Sequence, residues 1–226
     1  VLAQTLRTVG LKPIMITDDT CVDVVKAASS NVPVVTFPID GKQARCMAEN
    51  LLSKYMPSAL VAIERPGWNK RQEYHTMRGL NISGLVGKTD HLFKTGQRRG
   101  ITTVAVGDGG NELGCGKIIN VVRRHVHYGA KCQCPCGAGI AASTPADVLA
   151  IGGTSNWAAY GVAACLSLLK KLEYRHDEEG ELSLLKRILG AGAVDSVTKE
   201  GQPFVDGVLT SINSLVVHLI WMIANA

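Results

Sequence analysis

Long apolar runs are missing from this chain. The nearest approach, Leu215–Ala224, is ten residues interrupted by His218, well short of the roughly 20 needed to cross a bilayer. It reads instead as a buried C-terminal helix, and no membrane partner is expected. Aromatic residues are scarce at 5%, and the basic residues come in scattered pairs, Lys70–Arg71, Arg98–Arg99 and Arg123–Arg124. Without aromatics interleaved among them to stack on bases, nucleic acid is not an expected partner, although a net charge of +5 suits small anionic substrates. Seven cysteines, an odd number at irregular spacing, speak against a secreted disulfide framework. The opening residues Val1–Gly10 lack a basic n-region, a long apolar core and a cleavage site, so no signal peptide is expected. With 46% hydrophobic and 19% charged residues, the 226 positions suffice for one sizeable core, and a single domain over residues 1–226 is the expectation.

What is present is concentrated in residues 101–116, where the β-branched run Ile101–Val106 stops in a turn holding five glycines and three polar side chains. Gly107, Gly109, Gly110, Gly114 and Gly116 permit close backbone approach, and Asp108, Asn111 and Glu112 offer carboxylates and an amide. The turn lies between a strand end and the helix expected over Lys117–Tyr128, which is where open α/β sheets hold ligands.

Strand and helix alternate along the rest of the chain, which implies a mainly parallel sheet flanked by helices, an α/β, Rossmann-like class. Helices are expected over Val1–Val9, Val22–Ser29, Gln43–Tyr55, near Asp90–Thr95, and over Ala158–Leu172 and Leu182–Leu189; strands over Pro13–Thr17, Val32–Phe37, Ala59–Ile63 and Val148–Gly152. Asp177–Glu181 reads as an acidic exposed turn. A chain whose first element is a helix leading into a strand suggests that an upstream strand is absent and that the sequence is part of a longer polypeptide.

Polar residues follow the strands. Asp18 and Asp19, Glu64 and Arg65, Asp108 to Glu112, and Ser155 with Asn156 each come directly after one. Parallel strands place such ends on a single edge, so these groups should converge. Helix capping accounts for Asp18, Asp19 or Ser155 singly, but one cap does not use Asp108, Asn111 and Glu112 together.

The runs Glu64-Arg65-Pro66-Gly67, Tyr74-His75-Thr76-Met77-Arg78-Gly79, Gly107-Asp108-Gly109-Gly110-Asn111-Glu112-Leu113-Gly114 and Ser155-Asn156-Trp157, with Val205-Asp206-Gly207 near the end, resemble the C-terminal domain of D-glutamate cyclases. The resemblance implies a lyase that converts D-glutamate to 5-oxo-D-proline and water, located in the mitochondrial matrix in animals, with a further N-terminal domain in the full polypeptide. Two departures are small and apolar: Cys115 stands where many relatives have methionine, and Ala158-Ala159 where a glycine pair is common.

Lactam formation needs a base, an acid and oxyanion donors. Asp108 and Glu112 are the first candidates for proton transfer, with Glu64 third, on the logic of paired acids. The backbone amides of Gly109, Gly110 and Asn111 are candidate donors to an oxyanion or a substrate carboxylate. Arg78 and Asn156, beside Ser155, are candidate carboxylate anchors. Asp108, Asn111, Glu112 and Asp18 are also oxygen ligands suited to magnesium or manganese, so a divalent metal is a variant of the same site. A rival reading is a non-catalytic module that binds an acidic metabolite. The glycine turn lacks both Gly-x-Gly-x-x-Gly and a Lys-Ser/Thr ending, so a nucleotide has little support, and no lysine stands out in the crevice for pyridoxal phosphate.

His125-Val126-His127 followed by Cys132-Gln133-Cys134-Pro135-Cys136 invites a zinc reading. Structural zinc prefers two to four residues between paired cysteines, so Cys132–Ala142 is read as a partly buried strand whose cysteines act as small hydrophobes. Trp68, Trp157 and Trp221 read as core or pocket wall.

Overall fold

Parallel pairing joins most of the runs that the sequence marks as strands, in a computed structural model that describes residues 1–29, 31–172, 176–199 and 203–224. The fold is α/β, with a parallel sheet flanked by helices. The chain divides into two compact units, Phe37–Ala158 and Val1–Thr36 with Ala159–Ala226.

The first of these carries the three-stranded sheet, β3 (Ala59–Ile63), β4 (Thr102–Gly107) and β5 (Val148–Ile151), in that spatial order and all parallel. In β3, Leu60 and Ala62 are buried while their neighbours are exposed, the period-2 pattern of a half-covered strand. Central β4 is more deeply buried, with Ala105 and Val106 almost fully enclosed. Asp147 fixes the β4–β5 register: its carboxylate accepts from the Thr103 backbone N–H and hydroxyl, both at 2.8 Å. Helix α3 (Gly41–Tyr55) begins at Asp40, whose side chain accepts from the amides of Lys42 and Gln43, and ends where Met56 turns left-handed at φ 42°. Its buried residues Ala44, Ala48 and Leu52 recur every four positions, so one stripe faces inward. Helices α4 (Asp90–Arg98) and α5 (Ile119–His125) follow β3 and β4. Two long connections, 64–89 and 126–147, contain no helix or strand.

The other unit holds a separate parallel pair, β1 (Met15–Thr17) and β2 (Val34–Thr36), with helices α1 (Leu2–Thr8) and α2 (Val22–Ala28). Asp18 and Asp19 therefore close a different sheet from the one carrying Glu64 and Asp108, because the parallel strands form two sheets and not a single one. Helix α6 (Ser155–Lys170) starts after β5, and most of its length belongs here, with α7 (Glu178–Gly190) and α8 (Thr210–Ala224). The acidic stretch expected to be an exposed turn is the first turn of α7: Asp177 caps it by accepting from Gly180 N at 2.8 Å, and Glu181 is fully buried. Glu181 accepts from the Tyr160 hydroxyl at 2.7 Å and Asn213 Nδ2 at 2.6 Å, and meets His176 Nε2 at 2.6 Å. This network explains why an acid lies on an inward face. Helix α8 begins five residues earlier than its apolar run, after the antiparallel pair β6 (Phe204–Val205) and β7 (Val208–Leu209). Asp206 and Gly207, both at positive φ, form the two-residue turn of that hairpin. No helix of the described residues is long and apolar enough to cross a membrane.

Candidate active site

The carboxyl ends of β3, β4 and β5 lie side by side, with Ile63 paired to Val106 and Gly107 to Ile151. Glu64 leaves β3 in a left-handed conformation, φ 48°, while its N–H still donates to Val106 O at 2.9 Å. A non-glycine residue at positive φ is uncommon and locally strained. Here it marks the point where the chain turns off the sheet edge. Asp108 leaves β4 next door, and carboxylate oxygens of Glu64 and Asp108 lie within 4.8 Å of each other. Asp108 Oδ2 also accepts from Ser155 N at 2.7 Å and Ser155 Oγ at 3.1 Å. The acid after β4 is thus tied to the first turn of α6, after β5, where positive helix-dipole charge collects. The side-chain cap of α6 is Thr154, whose hydroxyl accepts from Trp157 N at 3.3 Å. That leaves buried Ser155 to serve Asp108, with half-buried Asn156 beside it.

The glycine turn is held from within. Glu112 is buried, and its Oε1 accepts from Gly109 N at 2.8 Å and Asp108 N at 3.5 Å, its Oε2 from Gly110 N at 2.6 Å and Cys115 Sγ at 3.3 Å. The amides of Gly109 and Gly110, candidate oxyanion donors by sequence, donate to this carboxylate. Burial, with Glu112 next to it, pushes the Cys115 thiol well above its ordinary range. Asn111 donates through Nδ2 to His75 O at 2.9 Å, and its Oδ1 is buried without a hydrogen-bond partner among the described residues. From outside, Gly67 N donates to Asn111 O, Leu113 N to Arg65 O, and Ala142 N to Gly110 O. Gly114 shows why a side chain is excluded: at φ +106° a Cβ would stand 2.1 Å from Ala105 Cβ.

A family model described as D-glutamate cyclase-like, C-terminal, matches residues 1–220. The chain belongs to this family. Among curated proteins, the human protein named D-glutamate cyclase, mitochondrial, is 42% identical over 111 residues. That match covers 49% of this chain and 17% of the human protein, so the domain corresponds to a small part of its relative's length.

Further residues of this cyclase-like domain surround the turn. The segment 74–82 folds back on itself, with His75 bridged to Asn81 and a tight turn at Thr76–Gly79. Its Met77 side chain lies against Gly109, and exposed Arg78 follows on the same tip, its carbonyl accepting from Gln133 Nε2 at 2.7 Å.

Sequence reasoning missed Asp90. This fully buried acid at the start of α4 accepts from Trp68 N at 3.2 Å, from the Tyr74 hydroxyl at 2.8 Å and from the Thr144 hydroxyl. It therefore fastens both long connections to one point. Burial raises its pKa to about 6, and burial together with the Asp90 charge raises that of Tyr74. The only sequence signal was an acid in the first turn of a helix, which reads as a solvated dipole partner. A cleft of about 530 Å³ lies elsewhere on this unit, lined by Lys42, Arg45, Glu49, His91, Lys94 and Arg98 among others. It includes none of the strand-end residues.

Proposed function

We propose that this domain carries the ring-closing centre of a D-glutamate cyclase, converting D-glutamate to 5-oxo-D-proline and water. The approach of Glu64 to Asp108 at the strand edge supports this reading most strongly. Closure forms a bond between the α-nitrogen and the γ-carboxyl carbon and breaks one C–O bond. Two of the three ammonium protons end on the departing oxygen, which leaves as water. Asp108 takes a proton from the ammonium, and the Glu64–Asp108 pair returns protons to the leaving oxygen, a relay that needs two carboxyl groups within reach of one substrate. The Ser155 hydroxyl and amide keep Asp108 in place during transfer.

Glu112 shapes the turn, since its oxygens already bind the backbone. Asn111 Oδ1, a buried acceptor without a donor among the described residues, suits an N–H of the substrate amine. Arg78 and Asn156 hold the substrate carboxylate, and with Gly109, Gly110 and Ser155 they border the space in which the glutamate chain is folded for attack. Holding amine and carbon in contact contributes much of the acceleration. Should a divalent ion assist, Asp108 and Glu64 offer the oxygen ligands it would take. The mitochondrial name of the human relative supports a mitochondrial setting, within which the matrix is the proposed compartment. Incubation with D-glutamate and detection of 5-oxo-D-proline tests the reading. Turnover that falls about 10²–10⁴-fold in Asp108→Asn, with the fold retained, is expected, and binding of D-glutamate without turnover by the unaltered protein would overturn it.

A further inference from the structure

Four ligand-bearing side chains, none of them a strand-end residue, meet between the two long connections. Cys132 Sγ lies 3.4 Å from Cys134 Sγ and 3.3 Å from Cys136 Sγ. His75 Nε2 lies 3.1 Å from Cys134 Sγ and 3.6 Å from Cys136 Sγ. One ligand atom from each residue falls within 4.8 Å of every other. Around a tetrahedral zinc with Zn–S of about 2.3 Å and Zn–N of about 2.0 Å, neighbouring ligand atoms stand about 3.5–3.8 Å apart. Four of the six separations lie within about half an ångström of that geometry, and the other two, Cys134 to Cys136 and His75 to Cys132, are below 4.8 Å.

The local chain explains how cysteines two residues apart can converge. In a strand, alternate residues are about 6.7 Å apart along one face, so three such sulfurs could not enclose one ion. The segment expected to be a strand contains none; it is a succession of bends and turns, with Gly137 N donating to Cys134 O at 3.2 Å. The fourth ligand comes from the opposite connection, 57 residues before Cys132, and not from the nearer His125 or His127. His75 and Cys132 are buried, and the His75 Nδ1 has no hydrogen-bond partner among the described residues. Nε2 of this buried imidazole lies against two thiol sulfurs, weak hydrogen-bond partners that a metal ion would replace with a strong bond. Asn69 Nδ2, itself buried, donates to Gly139 O at 2.7 Å and stands 3.5 Å from Cys136 Sγ, a second-layer contact of the sort that orients thiolate ligands.

We propose that His75, Cys132, Cys134 and Cys136 bind one structural zinc ion that staples connection 64–89 to connection 126–147. Four protein ligands leave no open position, so the ion is not a catalyst. It supports the candidate active site indirectly, because the backbone carbonyl of ligand His75 receives the side chain of Asn111 in the glycine turn. The proposal rests on the cluster and not on the cyclase reading, so metal content and activity are measured separately.

Elemental analysis of the purified full chain, prepared under reducing conditions with zinc available, is expected to show about one zinc per chain. Cys134→Ser and Cys136→Ser should each reduce this at least severalfold and lower the thermal midpoint, while Cys165→Ser, at an exposed position on α6, should change neither. Because ligand variants can misfold, the unaltered protein is also stripped and reloaded with cobalt; visible ligand-field bands of a tetrahedral thiolate site are expected. His75→Cys, which keeps four ligands, should retain zinc where His75→Ala loses it. A metal-free protein that takes up no zinc or cobalt, full occupancy by another metal, or full zinc occupancy in both serine variants would overturn the assignment.

Discussion

Asp90 is a buried acid outside the proposed chemistry, and its cost has a definite pH signature. Its pKa is about 6 in the folded chain against an ordinary value of 3.8, so between these values the folded state holds a proton that the unfolded state has released. Stability from this group is fully present below about pH 4 and is lost as pH rises through 6, by on the order of 3 kcal/mol. Asp90→Asn can keep its bonds, the amide oxygen accepting from Trp68 and Tyr74 and the amide nitrogen donating to Thr144. Denaturant unfolding of both proteins from pH 4 to 7 should show a slope in the native protein that the variant lacks; parallel curves would contradict this. Glu112 makes a contrasting prediction. Glu112→Gln places an N–H against amides that need an acceptor, so stability should fall by about 2–4 kcal/mol and turnover should fall with it. A variant of normal stability with lost turnover would move Glu112 into the chemistry.

At the level of elements, the glycine turn and the start of α6 form one construction. Gly114→Ala should destabilise by about 3 kcal/mol, since the new methyl meets Ala105 at a backbone conformation that alanine adopts poorly. Circular-dichroism melting of Gly114→Ala beside Gly84→Ala, where a Cβ would meet nothing within 4 Å, checks this. Strands β3 and β4 were legible because period-2 burial and β-branched runs act locally. The start of α7 was not, because its acids read as solvated until Tyr160, His176 and Asn213 surround Glu181. The cysteine segment was opaque for a related reason: its fourth partner, His75, is remote in sequence, and spacing alone describes a strand. Local pattern identifies an element; only long-range contacts reveal what its polar residues do.

For the whole molecule, strand order carried the most information. Parallel β3, β4 and β5 bring Glu64, Asp108 and Ser155 to one edge, as alternation of strand and helix implied, while Asp18 closes a separate sheet that alternation could not distinguish. The two long connections, lacking secondary structure, are where sequence was least informative and where Asp90 and the cysteine cluster do their fastening. The claim that Glu64 and Asp108 work as one proton relay is tested most directly by a double-mutant cycle on 5-oxo-D-proline formation, using Glu64→Gln, Asp108→Asn and both together. Each single variant should lose about 10²-fold or more, and the pair little more than the worse single, as for groups that act as a unit. Losses that multiply, or a single variant with undiminished rate, would contradict the relay.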